Sequence, residues 1–344
     1  MRHRFVASVG VAIALAAVPF LQHKLLAQGR SAAPAAPAAR TAKPYTHPRN
    51  EHGRPDIQGV WSFAVITPFQ RDEKLGDRTV LTDQEAVEIE KQNAARSETA
   101  DLATRKRGAG DVGLAYNDFW YDRGTKVAGS LQNSIVVDPP NGRVPPVNNE
   151  GIARRDTRAA ARKGSGRGPS DGPEDRGLAE RCIIGFNAGP PFTPSAYNNN
   201  IQIVQTRDYV VIVNEMVHDA RIVPTDGRPH QPANIKPWMG DSRGRWEGDT
   251  LVVETTNFNE KNIYRGASEN LKLVEKFTRN SQGILTYEFT LNDRATWDVP
   301  WTGRIPLERI NEPIYEYACH EGNYGMDGIL KGTRAEEKRA AENK

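Results

Sequence analysis

From residue 197 onwards, apolar and polar residues alternate in short segments with a period of two. This alternation predicts β-strands that bury one face. The joins are short and rich in Gly, Asn and Asp, which favours tight turns between neighbouring strands. Helical runs that could connect parallel strands are missing, so the segments predict an antiparallel meander. About seven or more such strands must close into a barrel-like domain or pair as a sandwich to protect their edges.

The chain before this meander is predicted to add a strand or two, one short helix and long loops. Apolar residues in Ile57–Phe63 and Ser134–Asp138 indicate two short strands. The helix is expected to begin after Thr82, because Thr82 and Glu85, three residues later, have the spacing of a capping box.

The first residues have the composition of a secretory signal peptide. Arg2 and Arg4 precede the apolar run Phe5–Leu21, and we expect cleavage near Ala27. The alternative is a membrane anchor, although this run is at the short limit for spanning a bilayer. The expected organisation is a signal peptide at 1–28, a disordered Ala/Pro linker at 29–54, one β-rich domain at 55–335 with a flexible charged insertion at 150–180, and a charged tail at 336–344.

The net charge of the chain does not predict a polyanionic partner. The net charge is +3, and residues 1–28 carry three cations and no acid, so the remainder is neutral. Neither nucleic acid nor anionic lipid is therefore predicted to bind. The expected location is the periplasm or the extracellular space without membrane insertion, and the oligomeric state is left open.

Two cysteines, Cys182 and Cys319, lie well over a hundred residues apart. Export to an oxidising compartment and an even count favour a disulfide between them. The chain-entropy model gives roughly 4–5 kcal/mol of stabilisation for a loop that long. The alternative is a pair of buried thiols.

The stretch Gly240–Gly244 reads GDSRG and so matches the G-x-S-x-G pattern of a hydrolase nucleophile elbow. That elbow lies between a strand and a helix, whereas prolines precede this stretch and β-branched residues follow it. We therefore interpret Asp241 and Ser242 as capping a turn that leads into a strand. Trp238 and Trp246 are expected to cover the barrel end or to line a pocket.

Aromatic, amide and arginine side chains indicate a pocket for a cyclic organic ligand, through stacking and hydrogen bonds. Arg123 or Arg221 could hold an anionic group. The alternative is that these side chains only cover the barrel mouth. The candidate ligand-binding residues are Tyr116, Asn117, Trp120, Arg123, Tyr197, Asn200, Arg221, Trp238 and Trp246.

Two segments place histidine beside carboxylates, a combination that suits acid–base catalysis. Alternation that begins at Tyr209 predicts a strand continuing to His218, and the segment 314–320 predicts another strand. Solvent-facing side chains are the alternative. A zinc site built from His218, His230 and His320 has no supporting spacing, so no metal or other cofactor is predicted. The candidate catalytic residues are His218, Glu215, Asp219, His320 and Glu321.

Several long strings resemble an uncharacterised family of exported bacterial proteins. They include WMGDSRGRWEGDTLVV, AYNNNIQIVQT and YEYACHEGNY. The resemblance covers roughly residues 55–335 and implies export and a single domain, but no activity and no catalytic residue. Gly59 and Trp61 also resemble the start of lipocalin-like barrels.

The leading hypothesis is an exported protein that binds a small cyclic organic molecule in a β-barrel cavity. One alternative is a hydrolase, lyase or isomerase that uses a histidine–carboxylate pair. Such an enzyme requires that pair in a concave, partly dry site. A second alternative is a structural or accessory subunit of an envelope complex, which would instead present a flat apolar patch.

Overall fold

The alternating segments form one antiparallel sheet. The computed structural model describes residues 45–101, 122–262 and 264–343, and the chain from Tyr45 onwards forms one compact unit. The strands within these ranges are β1 (Gly59–Ser62), β2 (Val136–Asp138), β3 (Asn200–Gln205), β4 (Tyr209–Asn214), β5 (Ala220–Pro224), β6 (Asp241–Glu247), β7 (Thr250–Thr256), β8 (Lys272–Arg279), β9 (Ile284–Asn292) and β10 (Trp301–Ile310). The helices are α1 (Asp83–Asp101), α2 (Asn149–Gly164) and α3 (Tyr324–Glu342).

Two meanders meet at the first strand. β5, β4 and β3 lie on one side of β1, and β10, β9, β8, β7 and β6 lie on the other. β2 pairs with β10 outside this path. The strand pairs are antiparallel, so the predicted mainly β meander is confirmed. The early strand of the sequence therefore lies in the middle of the sheet.

One face of the sheet, called the inner face here, carries the core. Along β8 and β9 every second residue is buried, as a strand with one buried face requires. Gly303 on β10 lies opposite Phe289 of β9, and a Cβ atom at Gly303 would overlap the Phe289 ring. The large aromatic side chains that fill the core are Trp61, Phe63, Phe192, Phe277, Tyr287, Phe289, Trp297 and Trp301.

The two edge strands of the sheet, β5 and β6, approach each other. A Cβ atom on Gly244 of β6 would lie 3.0 Å from Val223 Cγ1 of β5. No backbone ladder joins these two strands in the part of the chain that the structure describes. The seam between these two strands is therefore formed by side chains.

The predicted N-terminal helix is confirmed together with its capping box. Thr82 Oγ1 accepts a hydrogen bond from Glu85 N at 3.2 Å, and Glu85 Oε2 accepts one from Thr82 N at 2.8 Å. Two further helices are present. α2 includes part of the charged segment 150–180, and α3, which no pattern predicted, continues into the expected charged tail.

One predicted strand is too long and another is absent from the described sheet. The strand through His218 ends at Asn214, because Asn214 Oδ1 accepts a hydrogen bond from Met216 N at 3.0 Å and the next residues turn. Val217 and His218 have φ values of 61° and 46°, which no extended strand allows. The segment 314–320 forms no ladder either, since contacts with loops hold it instead. Glu215 and His218 therefore lie in the turn between β4 and β5 and not on one strand.

The predicted disulfide between Cys182 and Cys319 is confirmed, with a Cα–Cα distance of 5.7 Å and a sequence separation of 137. It joins the loop before β3 to the segment after β10. A second contact holds the segment after β10, where Tyr315 N donates to Glu215 Oε1 in the turn between β4 and β5 at 3.1 Å. The C-terminal segment is thus fastened to the turn between β4 and β5.

Candidate functional site

A cavity of about 350 Å³ lies at the seam, where β5 approaches β6. We call it the seam cavity. Three parts of the chain build it: the loop before β3, the start of β5 and the segment that enters β6. It brings together three candidates from the sequence, Asp219, Arg221 and Trp238, which are far apart in the chain. The other residues that line it are Ile183, Ile184, Ala220, Ile222, Pro237, Met239, Gly240, Asp241 and Ser242.

Arg221 reaches the seam cavity from the inner face, but its charge is already matched. Its two terminal nitrogens donate to the carboxylate of Glu275 on β8, at 2.7 and 3.1 Å. Tyr287 Oη donates to the same carboxylate at 2.7 Å. Burial, followed by the negative charge of Glu275, raises the pKa of Tyr287 well above its usual range. Arg221 is therefore a neutralised part of the cavity floor.

Asp219, in contrast to Arg221, forms a single side-chain hydrogen bond. Its Oδ2 accepts one hydrogen bond, from Gly185 N at 3.0 Å, and no cation forms an ion pair with it among the described residues. Burial raises the pKa of Asp219 above its usual range, although the Gly185 N–H and the neighbouring His218 oppose this effect. A carboxylate in a partly dry cavity with one hydrogen bond has acceptor capacity left for a ligand.

Ser242 lies in β6 itself and not in a turn between a strand and a helix. It is buried on the inner face, where its Oγ is 2.8 Å from Thr255 Oγ1. The neighbouring Asp241 makes its side-chain contacts with histidine and arginine on the other face. The arrangement of a nucleophile elbow is therefore not present at Gly240–Gly244. Asp241 and Ser242 do not cap a turn as predicted, because both lie within β6 and their side chains bind residues elsewhere.

A histidine close to the seam cavity that meets carboxylates is His230, in the loop between β5 and β6. Its Nδ1 is 2.7 Å from Asp241 Oδ2, and its Nε2 is 3.7 Å from Glu254 Oε1. Asp241 also accepts hydrogen bonds from Gln231 N at 2.9 Å and from Arg243 at 2.7 Å. Burial acts to raise the pKa of Asp241, but these three hydrogen bonds hold it below its usual range.

Sequence reasoning considered His230 only as a zinc ligand. The pairing with Asp241 carries no sequence signal, because one partner lies in an irregular loop and the other in a strand. No group of three or more His, Cys, Asp or Glu residues suited to a metal ion occurs within residues 45–101, 122–262 and 264–343.

The remaining catalytic candidates lie elsewhere. Both carboxylate oxygens of the buried Glu215 accept hydrogen bonds, one from Asn200 Nδ2 at 2.8 Å and one from Tyr315 N. His218, His320 and Glu321 are exposed. Glu215, held by Asn200, therefore binds the C-terminal segment. Neither residue lines the seam cavity.

The other aromatic candidates also lie outside this cavity. Tyr197 stacks on Tyr317 with ring centroids 6.2 Å apart, and Trp246 packs partly buried against the core. Arg123 is exposed. The candidates Tyr116, Asn117 and Trp120 lie outside the described residues.

A larger cavity of about 810 Å³ lies between the start of α1 and the loop that contains Leu75. Leu81 and Ile89 give it an apolar floor, and carboxylates such as Glu73 and Glu88 stand at its rim. The seam cavity is the better candidate despite its smaller size. Both volumes fall in the usual range for ligand sites. The seam cavity is preferred because it joins an arginine of a buried ion pair, a carboxylate without an ion-pair partner among the described residues and a tryptophan.

Among the described residues, no helix has the length and apolar character needed to cross a membrane. Comparison with known proteins gives no matching family model, no similar curated protein and no similar solved structure. The resemblance to an exported family stays a prediction, and the functional argument rests on the geometry of the site.

Proposed function

We propose that this chain is an exported protein whose sheet closes, through side chains at the seam, into a barrel-like domain that binds a small cyclic organic molecule. The single observation that carries the proposal is the seam cavity. It combines an apolar wall, one tryptophan and a few polar groups, the usual composition of a small-molecule site. The ligand binds at the seam and not inside the barrel, because aromatic side chains already fill the inner face of the sheet.

Trp238 provides the test. A ring-bearing ligand that stacks on it changes its fluorescence, so titration with a panel of neutral and charged ring compounds should give saturable signals that Trp238→Phe removes. Ala220→Phe fills the cavity and should weaken binding at least about tenfold, because the added ring occupies ligand space. Val204→Phe is the matched control, since Val204 is exposed on β3 outside this cavity. Equal binding by both phenylalanine variants contradicts the proposal.

Export is a separate part of the proposal. It is supported by the N-terminal Arg2, Arg4 and the apolar run after them, and the disulfide is consistent with an oxidising compartment. Expression with the native N-terminus followed by cell fractionation should place a shortened chain outside the cytoplasm. Recovery of the full-length chain in the cytoplasm would reject it.

The second candidate function is an acid–base enzyme that uses the His230–Asp241 pair. The 2.7 Å contact favours it, because a carboxylate that accepts from Nδ1 leaves Nε2 to exchange protons with a substrate. Asp241 also lines the seam cavity, which would bring a bound molecule close to the pair. If ring-bearing esters, lactones or hydroxy compounds are turned over, His230→Gln should lower kcat by about a hundredfold or more. His320→Gln, which changes an exposed histidine outside the seam cavity, should leave kcat unchanged.

A further inference from the structure

We propose that the ligand of the seam cavity carries a protonated amine, and that the carboxylate of Asp219 binds it. This inference rests on the proposed function, since it names the class of ligand for the same cavity. It follows from the charges at the cavity, from the environment of Asp219 and from the surface beside it.

Three charged side chains line the seam cavity, and two of them are matched within the protein. Arg221 forms a two-point ion pair with Glu275. Asp241 is 2.7 Å from Arg243 and 2.7 Å from His230. Asp219 has no such partner among the described residues. The cavity therefore presents one unmatched negative charge, and a cationic ligand complements it.

The environment of Asp219 strengthens this preference. Its carboxylate is half-buried and receives one hydrogen bond, so its ionised form is poorly solvated. An ammonium group supplies both the missing charge and hydrogen-bond donors, and hydrogen bonds between charged groups are stronger than neutral ones. An anionic ligand is disfavoured, because the guanidinium of Arg221 already donates to Glu275 from both terminal nitrogens.

The wall beside Asp219 suits the rest of such a molecule. Trp238, Ile184 and Ile222 line the same cavity, and Ile222 remains 62% exposed without a ligand. A tryptophan face attracts a cation as well as stacking on a ring. The combination of carboxylate, tryptophan and aliphatic surface therefore fits a ring-bearing amine.

The test compares benzylamine with benzyl alcohol, which share a ring and a linker but differ in charge. Affinities come from titration of the full chain followed by Trp238 fluorescence, with Trp238→Phe as the blank. At pH 7, benzylamine should bind at least about tenfold more tightly than the alcohol, the lower end expected for a charged hydrogen bond. Acidification should remove this preference as Asp219 takes up a proton, and the binding of the alcohol should change little.

Asp219→Asn should abolish the preference for the amine while keeping the affinity for the alcohol. The amide oxygen can still accept from Gly185 N, so the fold is retained. Asp208→Asn is the matched control, because Asp208 is exposed in the turn before β4 and should leave the preference intact. If Asp219→Asn does not fold, the pH dependence of the unmodified chain decides the same question.

Two outcomes separate the inference from the function that it deepens. The amine inference is overturned if both compounds bind with equal affinity. If Ala220→Phe abolishes that binding, the cavity is still a ligand site. If no ring compound of either charge gives a signal that depends on Trp238, the proposed function falls and the amine inference falls with it.

Discussion

Removal of one member of the buried Arg221–Glu275 pair should destabilise this protein more than removal of both. Glu275 is fully buried and Arg221 is 7% exposed, so neither charge is well hydrated. Either single substitution leaves the other charge without its partner. We consider Arg221→Met, Glu275→Gln and the double substitution Arg221→Met/Glu275→Leu.

The expected magnitude follows from the contacts. Breaking a buried ion pair from one side costs about 3–5 kcal/mol, whereas replacing both partners by apolar groups is close to neutral. Arg221→Met should lie at the upper end, because it leaves a carboxylate that is fully buried among aromatic rings. Glu275→Gln should lie at the lower end, because the guanidinium of Arg221 can reach the seam cavity. The double variant should lose less than about 2 kcal/mol, including the unpaired hydroxyl of Tyr287.

The assay is urea unfolding at pH 7, followed by tryptophan fluorescence and by far-ultraviolet circular dichroism to check that both report one transition. Equal slopes with shifted midpoints give the changes in the free energy of unfolding. Part of the loss in Arg221→Met should be recovered at acidic pH, because the unpartnered carboxylate can take up a proton. Additive losses in the double variant, or single losses under about 1 kcal/mol, would refute the reasoning about burial.

Four further predictions concern other residues of the fold. Substitution of both Cys182 and Cys319 by serine should lower the free energy of unfolding by up to about 5 kcal/mol, since the bond closes a loop of 137 residues, and the unmodified chain under reducing conditions should show the same midpoint shift. Gly303→Ala should cost several kcal/mol, about 2–4, because its methyl group would overlap a core phenylalanine, and a melting temperature within a degree of the unmodified chain would contradict that. Asp241, whose pKa is lowered, contributes stability above the unfolded value near 4 that is lost as the pH falls, and so Asp241→Asn should flatten the acid side of the stability curve. Asp219, whose pKa is raised, has the opposite sign: stability falls as the pH rises through its folded pKa, and Asp219→Asn should remove that decline.

Much of the sheet was predictable, because a strand with one buried face has an apolar residue at every second position, whichever strand it pairs with. The segments that became β8 and β9 show this. The same rule failed at Glu215, where a hydrogen bond from Met216 N to the side chain of Asn214 and two residues with positive φ end the strand. It failed again at 314–320, where alternation is present but the segment pairs with no strand of the described sheet.

The types of residue at the candidate site were predictable from the sequence. Which residues of each type meet there was less predictable. Asp219, Arg221 and Trp238 were selected for their chemistry, and the fold brings them to one cavity. Arg221 was predicted to hold an anionic group of a ligand, but its guanidinium is paired with Glu275 on β8. No pattern in the sequence indicated Glu275 as its partner. His230 and Asp241 were likewise joined only by the return of a loop onto the outer face of the sheet.

The sequence by itself determined the strand spacing, the capped first helix and the two cysteines able to pair, because each depends on local geometry or on residue count. The tertiary structure alone decided which charges are matched. The position of β1 between two meanders and the approach of β5 to β6 bring Arg221 to Glu275 and leave Asp219 without an ion-pair partner among the described residues. Charge pairing acts through space, over a few ångströms, between residues that the chain separates by dozens of positions. For that reason the pairing of charges around the seam cavity could not be derived from the order of residues.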